Sequence, residues 1–118
     1  MRKKVLITAL SFMLMFTFIP GVYSAEQLEI GALYPISGSL ALLGEESWRG
    51  AEIARLMRNE AGGVSGKEIV FVKGDASTPA AARAEAERLI EQQKLPAILG
   101  TYSSSRCMAA SEVAARKG

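Results

Sequence analysis

The stretch Ala97-Ile-Leu-Gly-Thr-Tyr-Ser-Ser-Ser105 links a short apolar run to three serines that open a helical pattern. The apolar run breaks at Gly100. A buried strand that leads into a helix N-terminus brings unpaired backbone N–H groups and hydroxyls together, which suits an anionic group such as a carboxylate. Serines also begin many helices merely as caps. The importance of this stretch therefore depends on whether the rest of the chain builds an open α/β sheet around it.

Strand and helix patterns alternate along the chain on both sides of this break. Short apolar runs predict strands, and apolar residues spaced three and four apart predict helices. In chain order the predicted elements are a strand over 28–34, a helix over 45–61, a strand over 68–73, a helix from Pro79 to about Gln93, a strand over 95–100 and a helix over 103–117. This order predicts an α/β fold, an open parallel sheet built from right-handed βαβ units with helices on both faces.

Individual residues in these elements give further expectations. The first helix carries one stripe of small and apolar residues, which predicts its buried face: Gly50, Ile53, Ala54, Met57 and Ala61. Trp48 falls outside this stripe; packing is its favoured role, and an aromatic at the edge of a cleft is the alternative. Thr78 and Pro79 are predicted to start the second helix as its cap and first residue. Cys107 is predicted to be a small buried side chain, with a reactive thiol as the alternative.

The first residues have the pattern of a secretory signal peptide. Arg2, Lys3 and Lys4 precede an uncharged run of fifteen residues over 5–19, and small residues follow near Ala25. A membrane anchor is less favoured, because such a run is shorter than the roughly 20 residues needed to span a bilayer. We expect a signal peptide over residues 1–24, with cleavage after Ser24 or after Ala25, and a protein exported to the periplasm.

Charge and composition exclude several classes of function. Of fourteen Lys and Arg, three lie in the predicted signal peptide. The remaining eleven basic residues and the twelve acidic residues give the rest of the chain a net charge near −1. That balance gives no sign of nucleic-acid binding. The sequence contains no His, which removes the commonest general base and metal ligand. It also lacks a dinucleotide fingerprint, a Walker lysine and a G-x-S-x-G elbow. We therefore expect no enzyme, no metal site and no cofactor.

The predicted fold places two loops beside one crevice. In open parallel sheets, ligands bind beyond the carboxyl ends of the strands where the winding reverses. If the first strand lies centrally, the loops over 34–44 and 101–105 flank that crevice. Their backbone N–H groups, hydroxyls and apolar tail suit a small molecule with a carboxylate and a modest side chain. The alternative is that both are ordinary polar loops.

Five segments, in order, closely resemble the N-terminal lobe of leucine/isoleucine/valine-binding-type periplasmic binding proteins. These proteins are the substrate-binding components of branched-chain amino-acid ABC importers. The segments are Ile30-Gly-Ala-Leu-Tyr-Pro-Ile-Ser-Gly38, Gly50-Ala-Glu-Ile-Ala54, Asn59-Glu-Ala-Gly-Gly-Val-Ser-Gly-Lys67, Asp75-Ala-Ser-Thr-Pro-Ala80 and Ile98-Leu-Gly-Thr-Tyr-Ser-Ser-Ser105. The resemblance implies two α/β lobes that close over a ligand, and it assigns residues 26–118 to part of the first lobe.

The resemblance also implies roles for particular residues. Ser104 matches the serine whose hydroxyl and backbone N–H hold the ligand carboxylate, Ser103 and Ser105 flank it, and Tyr102 lies at the cleft wall. The segment over 37–44, with Ser37, Gly38 and Leu43, matches the first cleft loop. Ser39 stands where the family often has Pro, and Leu43 where an aromatic often covers the ligand. These two departures leave the ligand open among aliphatic amino acids, amides, urea and aromatic acids.

The expected function is capture of a small amino acid, or a similar carboxylate or amide, and its delivery to an ABC permease in the membrane. The alternative is the ligand-sensing ectodomain of a receptor or regulator with the same fold. An exported hydrolase with its His in later sequence is a third, weaker hypothesis. Because a fourth strand is expected beyond Gly118, we expect the chain to be the N-terminal part of a larger protein.

Overall fold

The computed structural model describes residues 26–117, in which three parallel strands alternate with three helices. The elements are β1 (Gln27–Tyr34), α1 (Ala41–Glu60), β2 (Glu68–Asp75), α2 (Pro79–Glu87), β3 (Ile98–Gly100) and α3 (Ser104–Ala115). A 3-10 turn (Gly38–Leu40) leads into α1, and one π-helical turn (Arg88–Gln92) extends α2. The sheet has the order β2-β1-β3 with parallel strands, which confirms the predicted parallel sheet and meets the condition that the first strand lies centrally. The predicted signal peptide lies outside the described residues.

The two faces of β1 contact different helices, because successive side chains on a strand point to opposite sides. Leu33 points into a core that α2 and α3 cover, and Tyr34 points toward α1. That core consists of Leu33, Ala76, Ala82, Ala86, Leu89, Leu95 and Val113. Helices therefore cover both faces of the sheet, as predicted. Thr78 and Pro79 begin α2 as expected, since the Thr78 hydroxyl accepts a hydrogen bond from the Ala81 N–H at 3.0 Å.

A glycine allows the α2 side of the sheet to pack closely. A Cβ on Gly31 would lie 3.0 Å from Cδ1 of Leu89 and 3.1 Å from Cγ1 of Ile98. Such distances are tighter than nearly all real Cβ contacts. The Leu89 side chain, which is fully buried, therefore rests on bare backbone at this point of the strand.

The predicted buried stripe of α1 is wrong, and so is its predicted start. The helix begins at Ala41, because the apolar residues after the 3-10 turn continue directly into it. All five residues of the stripe are exposed, with Ile53 at 59% and Met57 at 66%. The side toward the sheet instead carries Gly44, Trp48, Ala51, Arg55 and Asn59. The exposed residues Ile53, Leu56 and Met57 thus form an apolar outer face on α1.

Trp48 packs against the sheet, which confirms its favoured role. Its ring centroid lies 6.2 Å from that of Tyr34, edge to face, and 5.9 Å from that of Phe71. The Lys73 ammonium stands 4.1 Å from the Trp48 ring centroid, within the range of a cation–π contact. These contacts hold the first half of α1 against β1 and β2.

The second half of α1 uses polar side chains to satisfy the outer edge of β2. Asn59 accepts from the Ile69 N–H at 2.8 Å and donates to the Ile69 carbonyl at 2.9 Å. Arg55 also donates to the Ile69 carbonyl at 3.3 Å, and Arg88, in the π-helical turn after α2, donates to the Lys73 carbonyl at 3.0 Å. Because β2 is an edge strand of the described sheet, these side chains form hydrogen bonds with backbone N–H and C=O groups that another strand would otherwise pair with. The sheet side of α1 is therefore partly polar for a structural reason.

The remaining differences concern the end of β2, which reaches Asp75 rather than residue 73, and the last two elements. β3 begins at Ile98 rather than at residue 95, and α3 covers a slightly shorter range than predicted. Cys107 is exposed, so the prediction of a buried side chain is wrong. The buried positions of α3 are Ala109 and Val113, one turn apart. Cys107 precedes Ala109 by two residues and therefore lies on a different side of the helix. None of the helices within residues 26–117 combines the length and the apolar character that a membrane crossing requires.

Candidate functional site

The three strands end at the same edge of the sheet, which we call the carboxyl edge. Loop 1 (residues 35–40), loop 2 (76–78) and loop 3 (101–103) leave it after β1, β2 and β3. The residues predicted to bind ligand lie as follows: Ser37 and Gly38 in loop 1, Tyr102 and Ser103 in loop 3, Ser104 and Ser105 at the start of α3, and Leu43 in the first turn of α1. Tyr102 is 50% exposed and Leu43 is 43% exposed. Loops 1 and 3 are linked through loop 2 by side chains that the sequence did not single out.

Asp75, the last residue of β2, fixes loop 1. Its Oδ1 accepts from the Ile36 N–H at 3.0 Å, and its Oδ2 accepts from the Ser37 hydroxyl at 2.7 Å. Partial burial raises the pKa of this carboxyl, but the hydrogen bonds from Ser37, Ile36 and Ser77 together outweigh burial and hold the pKa below the ordinary 3.8. Asp75 is therefore ionised at neutral pH, and the conformation of loop 1 depends on that charge.

Arg106, in the first turn of α3, ties loop 3 to loop 2. Its Nε donates to the Ser77 carbonyl at 3.1 Å, and its Nη2 donates to the same oxygen. Its Nη1 donates to the Ser103 hydroxyl at 2.8 Å. Gly38 of loop 1 lies close to this contact, because a Cβ on Gly38 would be 4.0 Å from Cβ of Ser77. Ser103 of loop 3 and Gly38 of loop 1 thus both lie near Ser77 of loop 2.

The start of α3 presents backbone donors at the carboxyl edge. Ser103 has the extended backbone of an N-cap, yet its hydroxyl caps none of the helix N–H groups. Within residues 26–117, the N–H groups of Ser104, Ser105 and Arg106 have no hydrogen-bond acceptor. The Ser103 and Ser105 hydroxyl oxygens lie 3.5 Å apart. Open N–H groups, serine hydroxyls and the positive end of the helix dipole together suit an anion.

A cavity of about 500 Å³ lies beside loop 1 on the α1 side of the sheet. Its lining is apolar at Ile36, Ala41, Leu42 and Trp48 and charged at Glu45, Arg49 and Lys73. Loop 3 and α3 contribute no residue to the described part of this cavity. The serines therefore face a separate surface, which is open in the part of the chain that the structure describes.

Asp75 and Arg106 are the residues that sequence reasoning missed. A signal existed for each. Asp75 is the only aspartate in the sequence, and it ends a strand at the carboxyl edge. Arg106 places a cation in the first turn of a helix, where the dipole disfavours positive charge, so its position called for a local acceptor.

Replacement of Asp75 by Asn is expected to lower the free energy of unfolding by about 1 kcal/mol at neutral pH, since the exposed setting weakens charged hydrogen bonds. A group whose pKa is lowered by folding stabilises the folded state above its unfolded pKa and loses that contribution as pH falls through the folded value. The difference between wild type and Asp75→Asn should thus shrink below about pH 4. Urea unfolding at several pH values measures it.

The control for this prediction is Glu60→Gln, which removes an exposed carboxylate at the end of α1. It should change the unfolding free energy by less than about 0.5 kcal/mol. A difference between wild type and Asp75→Asn that stays constant down to about pH 2 would show that the carboxylate of Asp75 does not hold loop 1.

Similarity to known proteins covers nearly all of the described chain. A family model described as "Periplasmic binding protein" matches residues 27–118. Leu/Ile/Val-binding protein homolog 8 of Brucella abortus (strain 2308) is 53% identical over 91 residues, which are 77% of this chain and 23% of that protein. Leu/Ile/Val-binding protein homolog 7 of Brucella suis biovar 1 (strain 1330) is 48% identical over 95 residues, or 80% of this chain and 24% of that protein. The chain spans about a quarter of the length of these curated relatives.

Solved structures share the fold as well. The branched-chain amino acid transporter substrate binding protein LivJ from Streptococcus pneumoniae, in complex with isoleucine, has a TM-score of 0.73 and 34% identity, over 77% of this chain and 26% of that one. A solute binding protein of an ABC transporter from R. palustris, in complex with benzoate, has a TM-score of 0.64 and 35% identity, over 75% of this chain and 24% of that one.

Proposed function

The chain belongs to the periplasmic binding protein family, a family of binding proteins rather than of enzymes, and from this premise we propose that it forms part of the first lobe of a solute-binding protein of an ABC importer. In this proposal residues 1–24 are a cleaved signal peptide, residues 26–118 belong to the first lobe, and further sequence supplies the second lobe. The protein acts in the periplasm, where it captures a small solute, closes over it and docks on a membrane permease.

The observation that carries the proposal is the open N-terminus of α3 at the carboxyl edge, where Arg106 ties it to loop 2. Isoleucine and benzoate, the ligands named for the two solved structures, differ in shape and in the presence of an ammonium group, but both carry a carboxylate. A carboxylate is the ligand group that three open N–H donors and flanking serine hydroxyls suit best. We therefore expect the ligand of this protein to be an amino acid or a similar small carboxylic acid.

Each predicted residue has a place in this binding mode. The Ser104 hydroxyl and N–H hold the carboxylate, and Ser103 and Ser105 flank it. Tyr102 forms one wall, and the opposite wall comes from loop 1 and the first turn of α1. Those residues are Ser37, Gly38 and Leu43.

The test is calorimetry on the full-length gene product with L-leucine, L-isoleucine, L-valine and benzoate. Replacement of Ser104 by Ala is expected to weaken binding of the carboxylate about 10- to 100-fold, because a hydrogen bond to a charged group is lost. The matched control is Ser111→Ala, an exposed serine of α3 whose hydroxyl donates to the Met108 carbonyl away from the carboxyl edge. It should leave the affinity unchanged.

Two outcomes would contradict the proposal. No heat of binding with any of the four acids would rule out the proposed ligand class. Binding that Ser104→Ala leaves as tight as in wild type would show that another residue holds the carboxylate, and Ser103→Ala and Ser105→Ala would then identify it.

A further inference from the structure

Arg106 stands where electrostatics disfavours a cation. It is the third residue of α3, within the first turn, where the helix dipole presents positive partial charge. Among residues 26–117 no carboxylate forms an ion pair with it, whereas Arg83, Arg88 and Arg116 each pair with a glutamate. Its guanidinium is half-buried and donates only to neutral oxygens. A cation held there without a counter-charge needs a specific reason.

The bonds of Arg106 change what Ser103 does. A serine at an N-cap normally accepts a hydrogen bond from the second or third N–H of its helix. Thr78 does so at the start of α2, with a backbone conformation (φ −135, ψ 163) close to that of Ser103 (φ −113, ψ 150). The Ser103 hydroxyl accepts from Arg106 Nη1 at 2.8 Å instead and caps nothing. Thr78 therefore caps the start of α2, whereas the contact with Arg106 leaves Ser103 unable to cap the start of α3.

We propose that Arg106 is a positioning residue that holds the Ser103 hydroxyl off the end of α3, so that the first N–H groups of the helix stay available to the carboxylate of the ligand. A hydroxyl that accepts a bond from a cation keeps its own proton and donates it more strongly. The Ser103 proton thus becomes a further donor at the carboxyl edge. In this role the Arg106 guanidinium contacts neither the ligand nor those N–H groups, one of which is the backbone N–H of Arg106 itself.

Anchoring on loop 2 is what makes this possible. Nε and Nη2 are held by the Ser77 carbonyl, so the remaining nitrogen, Nη1, points in a fixed direction toward Ser103. A lysine offers one point charge and cannot make this fork of donors. The role therefore depends on the guanidinium geometry as well as on the charge. A purely structural tie between loop 2 and α3 would not require Ser103 to remain uncapped.

The first arm of the test needs no ligand. In the full-length gene product with Arg106→Gln, the Ser103 hydroxyl should turn to accept from the N–H of residue 105 or 106, with Oγ within hydrogen-bond distance in a crystal structure. Exchange of that amide with water, measured by NMR, should slow roughly fivefold. In the double variant Ser103→Ala/Arg106→Gln, it should return to the wild-type rate.

The control for this arm is Arg83→Gln. Arg83 pairs with Glu112 and so also joins α2 to α3, but far from the carboxyl edge. It should leave the exchange of amides 105 and 106 unchanged. Unchanged exchange and an unchanged Ser103 rotamer in Arg106→Gln would overturn the proposal, whatever the protein binds.

The second arm rests on the proposed function and uses L-isoleucine and benzoate as probes. Arg106→Gln and Arg106→Lys are both expected to weaken carboxylate binding about tenfold. In each variant the Ser103 hydroxyl caps the helix and occupies an N–H group that would otherwise bind the carboxylate. The double variant Ser103→Ala/Arg106→Gln should bind no more weakly than Arg106→Gln, because the two residues act as one unit. Wild-type affinity in Arg106→Lys would show that charge alone matters, and additive losses would show independent roles; either result overturns the positioning role.

The two arms separate the two claims. If the wild-type protein binds neither probe, the proposed ligand class fails, and the first arm still decides whether Arg106 holds Ser103 off the helix. If the probes bind and the first arm shows no change, the positioning role fails and the proposed function stands.

Discussion

Replacement of Gly100 by Ala is expected to lower the free energy of unfolding by more than about 4 kcal/mol, the range reserved for severe backbone conflicts. Gly100 ends β3 with φ of 107°, a conformation that L side chains rarely adopt. A Cβ at this position would lie 1.8 Å from the Leu33 carbonyl oxygen and 2.8 Å from its carbonyl carbon. Backbone on both sides of this contact belongs to paired strands, so neither can move without breaking the sheet.

Urea unfolding followed by far-ultraviolet circular dichroism measures this loss. The matched control is Gly50→Ala, in the middle of α1, where an added Cβ meets no atom within 4 Å. It should stabilise the protein by about 0.5–1 kcal/mol, because alanine favours a helix more than glycine does. A Gly100→Ala protein as stable as wild type would mean that β3 does not approach β1 as closely as described.

Replacement of Leu89 by Ala is expected to lower the free energy of unfolding by about 4 kcal/mol, toward the upper end of the range for buried leucines. That cost depends on how far the surroundings can collapse into the cavity. Beneath Leu89 lies Gly31, which has no side chain to move into the space, and the neighbours from α2 are alanines. The same unfolding measurement applies, with Leu42→Ala as control.

Leu42 is 80% exposed, so its replacement should change stability by less than about 0.5 kcal/mol. A cost for Leu89→Ala near 1 kcal/mol would indicate that α2 settles onto the sheet and fills the cavity. Gly31→Ala tests the same contact from the other side, since its Cβ would crowd Leu89.

The alternation of strands and helices was predictable because it is written in local patterns. Apolar runs, the Thr78-Pro79 start and the serines after Gly100 each determine structure within a few residues. The βαβ alternation predicted parallel strands. The central place of β1 was the condition under which loops 1 and 3 flank one crevice, and the structure fulfils it. Together these local signals located loops 1 and 3 at one edge of the sheet.

The orientation of α1 could not be predicted in this way. The apolar stripe of α1 pointed to one buried face, but Asn59 and Arg55 turn another face inward to satisfy the Ile69 backbone. This contact forms because β2 is an edge strand of the described sheet. The sequence of the helix contains no pattern that indicates which strand lies at the edge. The spacing of apolar residues along a helix predicts its buried face only where apolar packing decides the orientation.

The connections within the candidate site are long-range for a similar reason. Asp75 reaches Ser37 across 38 residues of sequence, and Arg106 reaches Ser77 across 29. Topology could bring these loops to one edge, but not say which side chains would join them. The position of the serines at the carboxyl edge was therefore predictable, whereas the particular contacts that Asp75 and Arg106 make with the loops were not.

The exposed position of Cys107 has a practical consequence. It is the only cysteine in the sequence, and it follows Arg106 directly in the first turn of α3. Within residues 26–117, a thiol-reactive fluorophore would attach at this one place without any engineered mutation. Its emission would respond to changes in polarity beside Ser103, so the label would report whether a solute occupies the start of α3.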